Sequence, residues 1–243
     1  MLTPDDLSPA RLSSVLSWAI LGWIVGLWLN RIAYGLVAEQ SVVRPRCTTC
    51  DAPIPLFQLG RRGCPSCGVA LAYDRLEWLV AGLFALLAVH FGLSGQLIAY
   101  SVYTTVLALT AAMDFRHRYI YSIVSFPAIM GALILSPTLG GLDLPSTLLG
   151  FGVAFGLFLI FYLLGRLMYR DSEPVGKGDL ELAAMIGAMV GFPRVLNALF
   201  LGGLVNGLVI GALLLTRRRR RTDFIPYGPG LCLGAYATFF MAP

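Results

Sequence analysis

LPSTLLGFGVAFGLFLIFYLLGRLM, residues 144–168, contains a single charged side chain, Arg166. A helix this uniformly apolar has no face for water, and about 20 apolar residues are what a bilayer core requires of a spanning helix. The stretch therefore marks an integral membrane protein, and the rest of the chain agrees with it. Of 243 residues, 57% are hydrophobic and 13% charged, against about 25% charged in an average soluble domain. The mean hydropathy is +0.77.

Working outward on the same ruler, further spans are expected at roughly Val15–Val37, Leu76–Leu93, Gln96–Met113, Tyr119–Leu135, Leu180–Gly191, Val195–Leu215 and Phe224–Met241. With Leu144–Met168 this gives an all-α polytopic membrane protein of about eight transmembrane helices. The segment Leu180–Gly191 is short, so neighbouring helices must shield it from lipid. Asp5, Asp6 and Pro9 precede the first apolar run, with only Arg11 as positive charge, so that run is expected to be a retained span rather than a cleaved signal.

Short cytoplasmic loops collect Lys and Arg. Alternating the spans puts the connections 38–75, 114–118, 169–179 and 216–223 on one side. They hold Arg44, Arg46, Arg61, Arg62, Arg75, Arg116, Arg118, Arg170, Lys177 and the run Arg217–Arg221, while the opposite connections hold only Arg194. The four basic connections are accordingly expected in the cytoplasm and both termini outside. The arginine run reads as a topological anchor in contact with anionic membrane lipid. Nucleic acid is not an expected partner, because no aromatic-rich soluble domain accompanies the charge.

The one large connection carries RPRCTTCDAPIPLFQLGRRGCPSCGVALAYDR, residues 44–75. Cys47 and Cys50 form one C-x2-C pair and Cys64 and Cys67 another, 13 residues apart, a spacing that suits two knuckles giving four thiolates to a structural Zn2+. A disulfide pair is disfavoured where thiols stay reduced, and redox chemistry needs only one such pair. A loop this small buries little apolar surface, so metal would supply much of its folding free energy. Cys232, in the last span, reads as a small buried hydrophobe.

Two acids sit at span ends. Asp114 follows TVLALTAAM, and Asp179 opens the short span in VGKGDLELAAMIGAMVG, residues 175–191. The alternating topology brings both to one face. Separately, Asp179 reads as a helix N-cap and Asp114 as a hydrated flank beside Arg116 and Arg118. Together they read as a pair of carboxyls sharing a proton, because like charges resist joint ionisation; the ionised member can activate water while the protonated one polarises a peptide carbonyl. That is aspartyl protease chemistry, and Gly176 and Gly178 would let a substrate backbone approach closely.

These residues together resemble the type IV prepilin peptidases, bifunctional membrane aspartyl proteases of the GxGD class. Gly176, Lys177, Gly178 and Asp179 reproduce GxGD, and Leu182, Ala184, Gly187 and Gly191 fit the longer pattern GxGDxKLxAxxGxxxG. Asp114 fits the first aspartate of the family's other motif, the tetracysteine loop follows the first span, GLWLN with Gly26 and Asn30 resembles GSFLN, YDRLEWL with Glu77 resembles RYPLVE, and FIPYGPGLCLGA resembles IPFGP. Four places depart from the pattern. Tyr121 and Ser122 stand where the family has Pro-Asp, Glu181 stands where it has Lys, and Leu27, Trp28 and Gly35–Val37 replace Ser-Phe and Arg-Leu-Pro.

The resemblance implies a multi-pass protein of the bacterial inner membrane that cuts the leader of prepilins or pseudopilins on the cytoplasmic side. Asp114 and Asp179 would be catalytic, with Gly176, Lys177, Gly178 and Glu181 forming the active-site loop. It also implies that a first part, residues 1–95 with the zinc loop 38–75, methylates the new amino terminus from S-adenosyl-L-methionine through Asn30 and Glu77, while residues 96–243 form the peptidase domain. Two other readings compete: a GxGD protease without methyl transfer or with other substrates, and a non-catalytic scaffold or transporter whose acids bind cations.

Overall fold

The computed structural model describes residues 9–37, 46–47, 49–54, 64, 66–69, 75–168, 176–216 and 226–241. Arg44, Arg61, Arg62, Arg170, the run Arg217–Arg221 and Phe224, on which part of the topology and the last span's start were argued, lie outside the described residues. Among the described residues the chain is helical, in the order α1 (Pro9–Val37), α2 (Leu76–Phe91), α3 (Gly95–His117), α4 (Ser122–Thr138), α5 (Leu144–Met168), α6 (Lys177–Val190), α7 (Arg194–Leu215) and α8 (Gly228–Thr238). Four of them, α1, α3, α5 and α7, are long and apolar enough to cross a membrane, and α2 and α4 are shorter apolar helices. At 14 and 11 residues, α6 and α8 are shorter still.

The chain divides into two compact units, Met1–Leu97 and Ile98–Pro243. In the first, α1 and α2 pack as an antiparallel pair. Arg11 Nη2 donates to the Val89 carbonyl at 3.0 Å near one end, and Asn30 Nδ2 donates to Glu77 Oε2 at 2.9 Å near the other. The helices are close here because Gly26 lies against the Glu77 backbone, where any Cβ would collide.

In the second unit, α6 is the central element. Every residue from Leu182 to Val190 is buried, so the short helix is shielded by protein, as its length required. Gly150 of α5 and Gly187 of α6 meet backbone to backbone, and a Cβ on either would enter the other's carbonyl group. By contrast α5 leaves Leu163, Leu164 and Leu167 exposed, an apolar surface that suits lipid rather than water.

Polar contacts fix helix directions. The hydroxyls of Tyr103 and Ser136 lie 2.7 Å apart, Ser136 Oγ donates to the Ala188 carbonyl at 3.0 Å, and Tyr100 stacks on Phe239 with centroids 4.5 Å apart. These join the start of α3 to the ends of α4, α6 and α8. At the opposite end, the Gly228 N–H donates to Asp114 Oδ2, so α3 and α8 run antiparallel.

Several helix ends differ from the sequence expectation. The third span was expected to stop at Met113, but α3 continues to His117, with Arg116 placing a cation in a last turn whose carbonyls favour positive charge. It ends at Arg118, at φ 55. The fourth helix begins at Ser122 rather than Tyr119, after an extended Tyr121. The last begins at Gly228 with Pro229 in its first turn, where the missing N–H costs nothing.

Candidate functional site

The side chains at the shared end of α3, α6 and α8 come together through backbone amides. Asp114 lies inside α3, less than one turn from its end, and is 5% exposed. It is not the hydrated flank that its arginine neighbours suggested: its Oδ2 accepts the Gly228 N–H at 2.8 Å, across 114 residues of sequence. Asp179 is not the N-cap either. That position is Gly176, which has no side chain to offer, and Asp179, three residues on, turns back so that its Oδ2 accepts the Gly176 N–H at 3.2 Å. Each carboxylate is thus held through one oxygen by a glycine amide.

Both line one cavity of about 890 Å³, together with Gly176, Lys177, Gly178 and Glu181. Its wall is apolar, built from Leu157, Phe158 and Phe161 of α5 with Leu196, Leu199 and Phe200 of α7, and its rim carries Arg118, Tyr119 and Ser122. Two carboxyls facing one partly dry space can hold and exchange a proton with water and with a carbonyl oxygen, and the apolar wall keeps bulk water from competing.

Ser122 and Glu181, two of the positions where the sequence departs from the family pattern, touch. Ser122 Oγ donates to Glu181 Oε1 at 2.8 Å, and Glu181 Oε2 is buried with no hydrogen-bond partner among the described residues. The pattern has an acid and a lysine at these two places. Here a hydroxyl and a carboxylate stand in their places and bond to each other.

The cysteines are assembled in the first unit. Their four sulfur atoms lie within 4.8 Å of one another, with Cys47 Sγ 3.6 Å from Cys67 Sγ and Cys50 Sγ 3.5 Å from Cys64 Sγ. A disulfide needs about 2.05 Å, whereas zinc–sulfur bonds of about 2.3 Å in a tetrahedron separate sulfurs by about 3.8 Å. The geometry therefore fits a metal site of four thiolates. The two knuckles repeat one backbone pattern. The Cys47 and Cys64 N–H groups donate to the Ala52 and Val69 carbonyls, the Asp51 and Gly68 N–H groups donate back to Cys47 and Cys64, and Asp51 and Gly68 both have positive φ. Amides of Thr49 and Cys50 hold the Cys47 thiol below the usual thiol range, and the amide of Ser66 does the same for Cys64, while desolvation and the neighbouring thiols push Cys50 and Cys67 up. Cys232 is buried in α8, as a small apolar residue would be.

In the same unit Asn30 is fully buried and Glu77 is 5% exposed. Asn30 Oδ1 has no hydrogen-bond partner among the described residues, which leaves an acceptor beside a carboxylate. Trp28, by contrast, is exposed, so its departure from the pattern falls on the outside of α1.

The sequence of residues 101–212, from α3 into α7, matches the type IV leader peptidase family. The match contains Asp114 and Asp179; similarity to curated relatives extends further. A protein of Bacillus subtilis named prepilin leader peptidase/N-methyltransferase is 27% identical over 237 residues, covering 90% of this chain and 91% of its own. One of the same name from Pseudomonas aeruginosa is 28% identical, covering 96% and 92%. Another from Myxococcus xanthus is 28% identical over 208 residues, covering 81% of this chain and 62% of that longer protein. No solved structure matches the chain.

Sequence reasoning missed two residues at this site. Gly228 entered only as part of a resemblance, and Asn206 was passed over within an apolar span. A buried asparagine in a membrane helix is itself a signal, since it must find a partner there.

Proposed function

We propose that this chain cleaves the leader peptide of type IV prepilins or pseudopilins, with Asp114 and Asp179 as its catalytic pair, and that its first part then N-methylates the new amino terminus. The observation that carries the peptidase reading is the pair of carboxyls on one cavity, each anchored through one oxygen to a glycine N–H. The ionised aspartate takes a proton from water as the water oxygen bonds to the scissile carbonyl carbon, and the protonated aspartate gives its proton to the carbonyl oxygen. Collapse of the tetrahedral diol breaks the C–N bond: the amine nitrogen receives a proton from the aspartate that took one from water, and a diol hydroxyl returns a proton to the other aspartate, which restores the starting pair.

The substrate fits the cavity's two characters. A leader rich in Lys and Arg remains in water at the rim, while the hydrophobic segment behind the cut lies along an apolar wall of phenylalanines and leucines. The charge pattern supports eight crossings of a bacterial inner membrane, with the rim in the cytoplasm and both termini outside. Residues 1–95 serve as the transferase part and residues 96–243 as the peptidase. In the transferase part, Asn30 Oδ1 and the Glu77 carboxylate are acceptors suited to orient an amine, and S-adenosyl-L-methionine supplies the methyl group when bound. Zn2+ would be held by Cys47, Cys50, Cys64 and Cys67 in a structural role, since four thiolates leave no open position for water.

The two activities should separate. Given a pre-cleaved pilin peptide and S-adenosyl-L-methionine, Asp179→Asn is expected to methylate it at the wild-type rate while failing on the uncut substrate. Glu77→Gln is expected to cut and not to methylate. Wild-type protein that cuts but transfers no labelled methyl group would overturn the second activity, and transfer lost in Asp179→Asn would show the two sites to be one.

The Ser122–Glu181 contact makes a further prediction. Glu181→Lys alone sets an ammonium one helical turn from Lys177 with only a hydroxyl opposite, and cleavage is expected to fall roughly tenfold. Adding Ser122→Asp supplies a charge-assisted bond worth about 1.5–3 kcal/mol and should restore most of the rate. Cleavage rates of the two singles and the double decide it: additive effects would mean that the two positions act independently.

A further inference from the structure

The amide that holds Asp114 is itself held. Asn206 of α7 is 6% exposed, and its Nδ2 donates to the Tyr227 carbonyl at 2.8 Å. The Gly228 N–H donates to Asp114 Oδ2 at 2.8 Å. The Tyr227 carbonyl and the Gly228 N–H are the two ends of a single peptide group. A side-chain amide, a peptide plane and a carboxylate therefore form one continuous chain of donors and acceptors, in which each bond polarises the next.

Three neighbouring residues keep that chain clear. A Cβ on Gly228 would lie 2.7 Å from Asp114 Oδ2, and a Cβ on Gly230 would run into the Asn206 side-chain amide. Between them Pro229 has no N–H, so it offers Asp114 no competing donor, and its ring fixes the first turn of α8. The segment Gly228–Pro229–Gly230 thus leaves one amide aimed at Asp114 and one space for Asn206. Tyr227 lines the cavity and Asn206 does not, so Asn206 has no wall to share with substrate.

We propose that Asn206 is a positioning residue for Asp114, acting through the Tyr227–Gly228 peptide group. It rests on the peptidase reading of the cavity. With the amide present, the peptide plane is fixed and Asp114 keeps one oxygen anchored while the other serves the reaction. Without it, the plane can rotate, the Gly228 N–H leaves the carboxylate, and Asp114 loses its orientation without any change in the cavity wall.

The test is steady-state cleavage of a synthetic prepilin by the purified full-length protein and three variants, with thermal midpoint and folded fraction measured alongside. Asn206→Leu matches the side chain in size and cannot donate; kcat is expected to fall on the order of tenfold with KM within about twofold of wild type. Asn206→Gln returns an amide on a longer arm and should recover part of that loss. Asn206→Ser is polar but too short to reach the Tyr227 carbonyl, and should match the leucine variant; it decides the matter if Asn206→Leu does not fold. Wild-type kcat in the leucine and serine variants overturns the proposal, and so does a loss that follows the folded fraction or appears in KM. A wild-type protein that folds but does not cut overturns the peptidase reading itself, and the positioning role with it.

Discussion

Asp114→Asn and Asp179→Asn are each expected to reduce leader cleavage by about 100-fold to 10,000-fold, the usual worth of a positioned acid or base, with membrane insertion and helix content unchanged. Asparagine keeps the size of aspartate and keeps an oxygen that can accept the Gly228 or the Gly176 N–H, so the anchors at 2.8 Å and 3.2 Å survive the change. What is removed is the ability to carry a proton between water and the scissile group. Because a pair sharing one proton needs both members, neither variant should be rescued by the other carboxyl, and the double variant should be no worse than either single. Cleavage rates on a synthetic prepilin, read beside circular dichroism of the same preparations, test this. Near wild-type turnover in either variant would remove that residue from the reaction.

Cys47→Ser is expected to empty the metal site and unfold the knuckles around it. The core available there is small: Cys47, Ile54 and Cys64 are buried together, with Tyr34 and Ala52 packed against them. Such a cluster buries too little apolar surface to fold alone, whereas a structural zinc contributes on the order of 10–16 kcal/mol at neutral pH. The Arg46–Asp51 ion pair, 2.7 Å long but exposed, adds little. The four cysteines should not be equivalent. Cys47 and Cys64 are buried and Cys50 and Cys67 exposed, so serine at either buried position should cost more than at its exposed partner. Metal analysis of the wild type and the four variants, with protease sensitivity of the 38–75 segment, checks both points. One zinc per chain is expected in the wild type, and a metal-free wild type with full activity would overturn the site.

What could be read from sequence divides by the range of the interaction. The start and course of α5 are legible because hydrophobicity alone defines them. The end of α3 was misread because Arg116 looks like a loop residue, yet a cation also stabilises a last helical turn. The role of Asp179 in its helix start was misread by three positions, since a glycine N-cap leaves the capping to an acid one turn in. The four cysteines announced themselves through local spacing, and the backbone pattern of each knuckle is local too.

The partners of the central acid are not local. Asp114 is held from Gly228, and Ser122 meets Glu181 across 59 residues, so periodicity offers no route to either contact. The same distance hid the relation between two departures from the family pattern, which read as separate oddities in sequence and lie in contact in space. Asn206 was passed over for a related reason: its neighbours in α7 are apolar, and only the fold reveals that its amide reaches the peptide that anchors Asp114.

The measurement closest to the central claim is mass spectrometry of a synthetic prepilin after incubation with the purified, zinc-loaded, folded protein in lipid. Two products are expected: the basic leader, and the pilin beginning at its hydrophobic segment. An intact substrate, or cuts scattered along the leader away from that junction, would contradict the assignment of Asp114 and Asp179 as a prepilin-cleaving pair.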